Sequence, residues 1–315
     1  MPVFSQANSS SIGIPPFGAA TPFPSNISVS GKSGQVLRVA VRLNGLNHSF
    51  SQDVDVLLVG PGGAKSLVMS DVLGGVATNL SLTFDQISKQ SLGAPMSTGV
   101  YAPADSPSST DSFASPAPSG PYFADFSRFQ GVNPNGDWSL YVQDDLAADF
   151  GSIASGWTLK IFHGPDPVIG TPAADRFSPV LGASTYFGGD GPDLYNPGAR
   201  YARASSLSRL DHIVDFDTDN DRINHPGRSR KTIGRSFGSV SSLNARSVGR
   251  LFRPSLGGAP LGVSQWGTFT SGTGEEERTF LLINDKIADF DAKKDFLLEI
   301  TGYYGTRALN QVNVV

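Results

Sequence analysis

The chain has 315 residues, of which 36 are Gly and 22 Pro, and a formal net charge of −4. With only 17% charged residues and Gly/Pro punctuation throughout, it lacks the composition of a long-helix protein and favours short strands. The weak negative charge sets up no global field for nucleic acid or an anionic membrane, and the zero cysteine count excludes disulfides and thiolate metal sites.

The opening segment "MPVFSQANSSSIGIPP" has neither a basic n-region nor an apolar h-region, so no secretory signal peptide is expected there. No apolar run approaches the ~20 residues needed to span a bilayer. "QVLRVAVRL" (35–43) alternates strictly, with Leu37, Val39, Val41 and Leu43 on one face and Arg38, Ala40 and Arg42 on the other. This predicts a half-buried strand, closed by an Asn44-Gly45 turn. In "DVDVLLV" (53–59), Val54, Val56 and Leu58 share a face. Asp53 and Asp55 point the other way and are expected as surface or loop-contact carboxylates. "GPGG" (60–63) turns the chain into "AKSLVMS", and Leu80, Leu82 and Phe84 face inward from "NLSLTF" (79–84). Residues 103–121, rich in Pro, Ser and Ala, read as an irregular surface loop.

"NPNGDWSLYVQDDLAADFGSIASGWTLKIF" (133–162) predicts two strands. Trp138, Leu140 and Val142 share a face of one, and Trp157, Leu159 and Ile161 share a face of the other. They are expected to form an antiparallel pair joined by residues 144–156, with the tryptophans as core anchors. Asp144, Asp145 and Asp149 fall on that loop, open either to calcium or to plain solvation.

Together with "FPSNISVSGKSGQVLRVAVRLNGLNHSFSQDVDVLLVGPGG", this ending resembles the P domain (Homo B domain) of proprotein convertases, in the stand-alone form found in bacterial surface and secreted proteins. The resemblance covers about residues 1–163. It implies a β-jelly roll and an accessory role beside a subtilisin-like serine endopeptidase. It does not carry catalysis: the four histidines lie in no catalytic signature, and neither a Gly-x-Ser-x-Gly elbow nor a subtilisin-type Asp, His and Ser set is present. No catalytic or cofactor-binding residue is expected.

"HGPDPVIGTPAADRFSP" (163–179) holds four prolines and no periodicity, so 164–179 is expected to be a linker before a second module, 180–315. Gly188-Gly189-x-Gly191-x-Asp193-x-Tyr195 fits one copy of the G-G-x-G-x-D-x-U-x calcium repeat, with Asp190 and Asp193 as candidate ligands. A plain Gly-rich turn is the alternative, since a lone copy lacks half its site. "LDHIVDFDTDNDRIN" (210–224) is the stronger metal candidate. Asp215, Asp217, Asp219 and Asp221 recur at every second position, and their repulsion calls for full solvation or for Ca²⁺. An EF-hand is excluded by the missing Gly at the sixth position and Glu at the twelfth.

Arg222–Arg253 contains eight Lys/Arg and no Asp or Glu. With Phe237 and Phe252 as its few aromatics and no nucleic-acid motif, it reads as a solvated basic segment. Strands are expected at 279–283 and 296–301. "TFLLIND…DFLLEITGY" resembles the C-terminal bluetail domain of cyanobacterial surface proteins, itself similar to the tails of RTX-type exported proteins. That resemblance implies surface display and a type I-like export route without a cleavable signal peptide. A cytoplasmic location also fits the missing signal.

The sequence therefore predicts an all-β protein: a P-domain-like β-sandwich or jelly roll followed by a β-rich C-terminal module. The expected function is that of a non-catalytic secreted or cell-surface protein, stabilised by Ca²⁺, engaged in adhesion or assembly with a protein or glycan partner. The alternative is an accessory module of a subtilisin-like protease. No nucleic-acid partner and no transmembrane segment are expected.

Overall fold

A computed structural model of the chain describes residues 2–72, 75–106, 111–178, 183–196, 206–207, 209–224, 234–252, 261–262, 265–273, 277–284, 290–292, 295–311 and 313–314. Among these the fold is all-β, with one α-helix and a few 3-10 turns. The chain divides into two compact units, Pro2–Gly164 and Pro165–Val315.

The first unit contains β1 (Val3–Asn8), β2 (Ile12–Ile14), β3 (Gly18–Ala19), β4 (Ser25–Val29), β5 (Gln35–His48), β6 (Val54–Val59), β7 (Lys65–Ser70), β8 (Ala77–Asp85), β9 (Gly99–Tyr101), β10 (Ala104–Asp105), β11 (Gly136–Asp144), β12 (Gly151–Ile153) and β13 (Trp157–Gly164). Two sheets face each other. One runs β1-β13-β5-β12-β2 with β8 and β9 on the far side of β5; the other runs β10-β7-β6-β11-β3 with β4 also on β11. Alternation sends Val39, Val41 and Leu43 from one sheet, and Val54, Val56, Leu58 and Leu140 from the other, into a single core.

Three expectations are corrected here. The Asn44-Gly45 turn does not form. β5 runs on to His48, because Gly45 at φ +77° takes up a bulge between Asn44 and Leu46. β5 is also buried on both faces rather than one: Arg38 is 4% exposed, ion-paired to Asp85 through Nε at 2.8 Å and stacked on the Phe162 ring. Finally, the two tryptophan strands do not pair. β11 lies against β6 and β4, β13 against β1 and β5, and the tryptophans meet the core from opposite sheets. A twelve-residue connection that itself contributes β12 is long enough to cross between sheets.

The loop expected over 103–121 is more than a surface excursion. Phe113, Ala117 and Tyr122 cover Leu57, Leu67 and Tyr141 on the outer face of the second sheet.

The second unit contains β14 (Val168–Ile169), β15 (Arg176–Phe177), β16 (Thr185–Phe187), β17 (Leu194–Tyr195), β18 (Asp211–Ile213), β19 (Arg222–Ile223), β20 (Arg235–Val240), α1 (Ala245–Phe252), β21 (Trp266–Ser271), β22 (Arg278–Ile283), β23 (Phe296–Glu299) and β24 (Asn313–Val314). One sheet runs β14-β16-β18-β23-β22-β21-β20 and the other β15-β17-β19-β24. From β14 to β19 the chain climbs as parallel rungs. Each rung gives a strand to the first sheet, makes a turn, and gives a strand to the second. Phe177, Tyr195 and Ile223 stack inside, the first two rings 5.0 Å apart and nearly parallel. The expected linker is therefore the first rung. The lone calcium-repeat copy is the second of three stacked turns.

Candidate functional site

Asp55 leaves the outer face of β6, opposite the core residues Val54 and Val56. Of the two settings expected for it, surface or loop contact, it takes the second: it is 1% exposed, because the 103–121 loop lies over this face. Its β11 partner, Gln143, donates from Nε2 to Asp55 Oδ2 at 3.1 Å and to the Ser112 carbonyl at 2.8 Å, tying the loop down. Ser70 Oγ, at the end of β7, lies 2.6 Å from Asp55 Oδ1 and 2.5 Å from Asp111 Oδ1. A hydroxyl carries one proton, so it can donate to one of these carboxylates at a time. Asp71, just past β7, completes the group. Asp55, Asp71 and Asp111 each offer an oxygen within 4.8 Å of the other two.

That spacing fits a hard cation. Two oxygens bound to one Ca²⁺ at ~2.3–2.6 Å lie at most about 5 Å apart. Burial pushes the Asp55 carboxyl up to about 7, despite the hydrogen bonds from Ser70 and Gln143 that pull it down. Asp105 and Asp145 are raised too, by burial first and then by neighbouring carboxylates. The all-oxygen donor set of the group is that of Ca²⁺ or Mg²⁺ sites.

The expected ligands Asp144, Asp145 and Asp149 sit beyond this group, at the end of β11. Asp144 Oδ2 lies 3.0 Å from His48 Nε2, both side chains fully buried, while Asp144 Oδ1 accepts the Leu146 N–H. His48 Nδ1 lies 2.9 Å from the Phe50 carbonyl. Asp145 is exposed and Asp149 half-buried. Asp53 packs behind them at 4% exposure, its Oδ2 without a hydrogen-bond partner. Burial, and then the Asp144 charge, push it up to about 6.

In the second unit the acidic residues close turns. Asp175, Asp193 and Asp221 each precede the second-sheet strand of their rung by one residue, and they form a ladder. Asp193 Oδ1 accepts the Asp175 N–H and Asp221 Oδ1 accepts the Asp193 N–H, both at 2.9 Å. Asp221 Oδ2 takes the Asp217 N–H. Asp215 accepts from the N–H groups of Gly188 and Gly189. Asp217 takes the Asp219 N–H, and Asp219 takes the Thr306 and Arg307 N–H groups. The four alternating aspartates thus face different backbone donors instead of one point. The segment turns rather than running as an extended strand, so the four carboxylates do not share one face. Asp190 lies exposed on the middle turn. Asp193 Oδ2 and Tyr195 Oη are buried without a hydrogen-bond partner, next to Gly188. Burial first, and then the Asp175 and Asp215 charges, put the Asp193 carboxyl at about 6; burial raises Asp221 to about 7.

Sequence reasoning missed Asp55, Asp71 and Asp111 as a group. The D-x-D before the β6 apolar run is a usable signal for Asp55. Asp71 and Asp111 lie in no motif, and only the fold of the Pro/Ser-rich loop brings them in.

No family model matches the chain, and no curated protein matches it. Among solved structures, it is similar to the crystal structure of the serine protease of Aeromonas sobria and to that protease (ASP) in complex with the chaperone ORF2. Each match is 14% identical, covers 52% of this chain and 27% of that chain, and has a TM-score of 0.26. The likeness thus spans about a quarter of the protease chain, and at that TM-score it carries no argument about activity.

Proposed function

We propose that the chain is a non-catalytic, secreted or surface-displayed β-module protein with an adhesion or assembly role, whose first unit is stabilised by Ca²⁺ held by Asp55, Asp71 and Asp111. The observation that carries the cation is the convergence of three carboxylates, one of them buried, at calcium-ligand spacing. Three like charges this close repel strongly once ionised, and a divalent cation converts that cost into binding energy. The exported setting rests on the P-domain resemblance of residues 1–163 and the bluetail resemblance of the "TFLLIND…DFLLEITGY" stretch. The test is thermal unfolding of the full chain in Ca²⁺, in Mg²⁺ and in chelator. Binding to the folded state alone raises Tm, by several degrees at a hundredfold excess over Kd. The same Tm in all three solutions ends the proposal.

A second reading follows from the P-domain motifs of 1–163: an accessory module acting beside a subtilisin-like protease. It predicts co-purification with such a protease from the native source. The first reading predicts none.

A further inference from the structure

Ten large apolar side chains are strongly exposed among the described residues, and half of them share one place. Phe17, Phe50, Val76, Leu146 and Phe150 are 67%, 43%, 71%, 60% and 67% exposed. They sit on four loops at one end of the first unit, and backbone contacts hold those loops side by side. The Ala148 N–H reaches the Pro16 carbonyl, the Phe150 N–H reaches Ser49 Oγ, and the Ser51 N–H reaches the Gly75 carbonyl. β12, which starts after Phe150, pairs with the ends of both β2 and β5. Scattered exposed apolar residues need no explanation, but a contiguous cluster marks a contact surface.

The cluster is rimmed by acid. Asp145 is exposed and Asp149 half-buried among these loops, and the charges acting on Asp53 beneath them are Asp144, Asp145, Asp149 and His48. This face cannot pair with itself without opposing like charges, and it repels an anionic lipid surface. The rim calls for a basic complement, whose guanidinium groups can also lie on exposed rings such as Phe17 and Phe150, and the chain carries a basic surface. On α1, Val248 and Phe252 are buried, whereas Arg246 and Arg250, one turn apart, are exposed. Arg235 of the edge strand β20 is exposed over the half-buried Phe237 ring, which packs on Phe252.

We propose that the acid-rimmed apolar end of the first unit docks on the arginine-bearing α1 surface of a second copy. Such a contact joins two different patches, so it is heterologous and propagates head to tail. This inference deepens the assembly reading above and rests on it, but it is independent of the cation site.

Sedimentation velocity of the full chain over about a hundredfold concentration range tests it. The expected result is a sedimentation coefficient that climbs with concentration and falls back as salt screens the rim charges. Phe17→Ser with Phe150→Ser should weaken association at least about tenfold, with the Tm unchanged. Asp145→Lys with Asp149→Lys should disrupt it, as should Arg246→Glu with Arg250→Glu, and a chain carrying all four charge reversals should associate again. A parent chain that stays monomeric throughout overturns the proposal, as does failure of the fourfold variant to recover. Monomers that float with neutral lipid vesicles through Phe17 and Phe150 would assign the patch to a membrane and equally overturn it. Calcium-dependent melting without association would sink this inference alone, and association without calcium-dependent melting would sink the cation site alone.

Discussion

Trp138 and Trp157 enter one core from opposite sheets, and both are fully buried. Each indole N–H is satisfied within the unit: Trp138 Nε1 donates to the Pro134 carbonyl and Trp157 Nε1 to Ser25 Oγ, both at 3.0 Å. Replacing either by Ala should cost about 3–5 kcal/mol through lost transfer energy and the cavity left behind. Trp157→Phe keeps most of the packing and loses the bond to Ser25, for about 1–2 kcal/mol. Urea unfolding of the variants measures both costs, and equal losses for Ala and Phe would contradict this account of the site.

Asp55→Asn separates the two roles of the acidic group. In chelator at neutral pH it removes a buried carboxylate while keeping hydrogen-bonding capacity toward Ser70 and Gln143, so the metal-free protein should gain about 1 kcal/mol. In calcium the same variant should lose most of the cation-dependent rise in Tm. Asp111→Asn should lose that rise as well. Calorimetry with and without calcium reads both effects.

The pH dependence has a defined sign. The Asp55 carboxyl is raised from 3.8 to about 7 in the folded state, so the folded form binds its proton more tightly than the unfolded chain does. Its contribution to stability is complete below about pH 4 and is lost as pH rises to about 7. In chelator, parent and Asp55→Asn should diverge across this window by at most on the order of 4 kcal/mol, the parent losing more. Calcium should close the gap in the parent. Denaturant titrations at pH 4.5 and 7.5 would contradict it if the difference between the two proteins stayed constant.

Asp221→Ala should open the ladder in the second unit. It orphans the N–H groups of Asp193 and Asp217, one of them in a buried turn, at about 1–3 kcal/mol each. Gly188→Ala should be at least as damaging, since a Cβ there would lie 2.2 Å from Asp193 Oδ2 and 2.4 Å from Tyr195 Oη. Hydrogen exchange should show lost protection at Asp193 and Leu194 while first-unit amides keep theirs. Uniform loss across both units would argue against a local ladder.

How much was legible depended on the range of the interaction. Period-two alternation located β5, β6 and β8 and the inward faces of both tryptophan strands, because each is a property of consecutive residues. Sheet membership was not legible, since nothing in 133–162 records that Trp138 pairs with Ile27 while Trp157 pairs with Leu43. The parallel rungs escaped notice for a similar reason. Their strands are two or three residues long, and the repeat stretches from 18 residues between Leu194 and Arg176 to 28 between Arg222 and Leu194. Asp215–Asp221 did read as the stronger metal candidate, but several of the donors that take up those carboxylates belong to another rung and to Thr306 and Arg307. Asp111 was invisible because a Pro/Ser-rich loop gives no periodic signal for the face it will cover.

The pairing of β1 with β13 joins Val3 to Phe162 and Asn8 to Trp157. On a ribosome, the earliest strand of this sandwich therefore waits for the latest. Until residues 157–164 emerge, β1 has no neighbour in its sheet and the inner edge of β5 lies open. Loop-closure entropy over some 150 residues must be met before that closing contact forms. The first unit is thus completed only when its last strand has been made, and until then the nascent chain carries an open strand edge, the kind of edge that chaperones shield or that mispairs with a neighbouring chain.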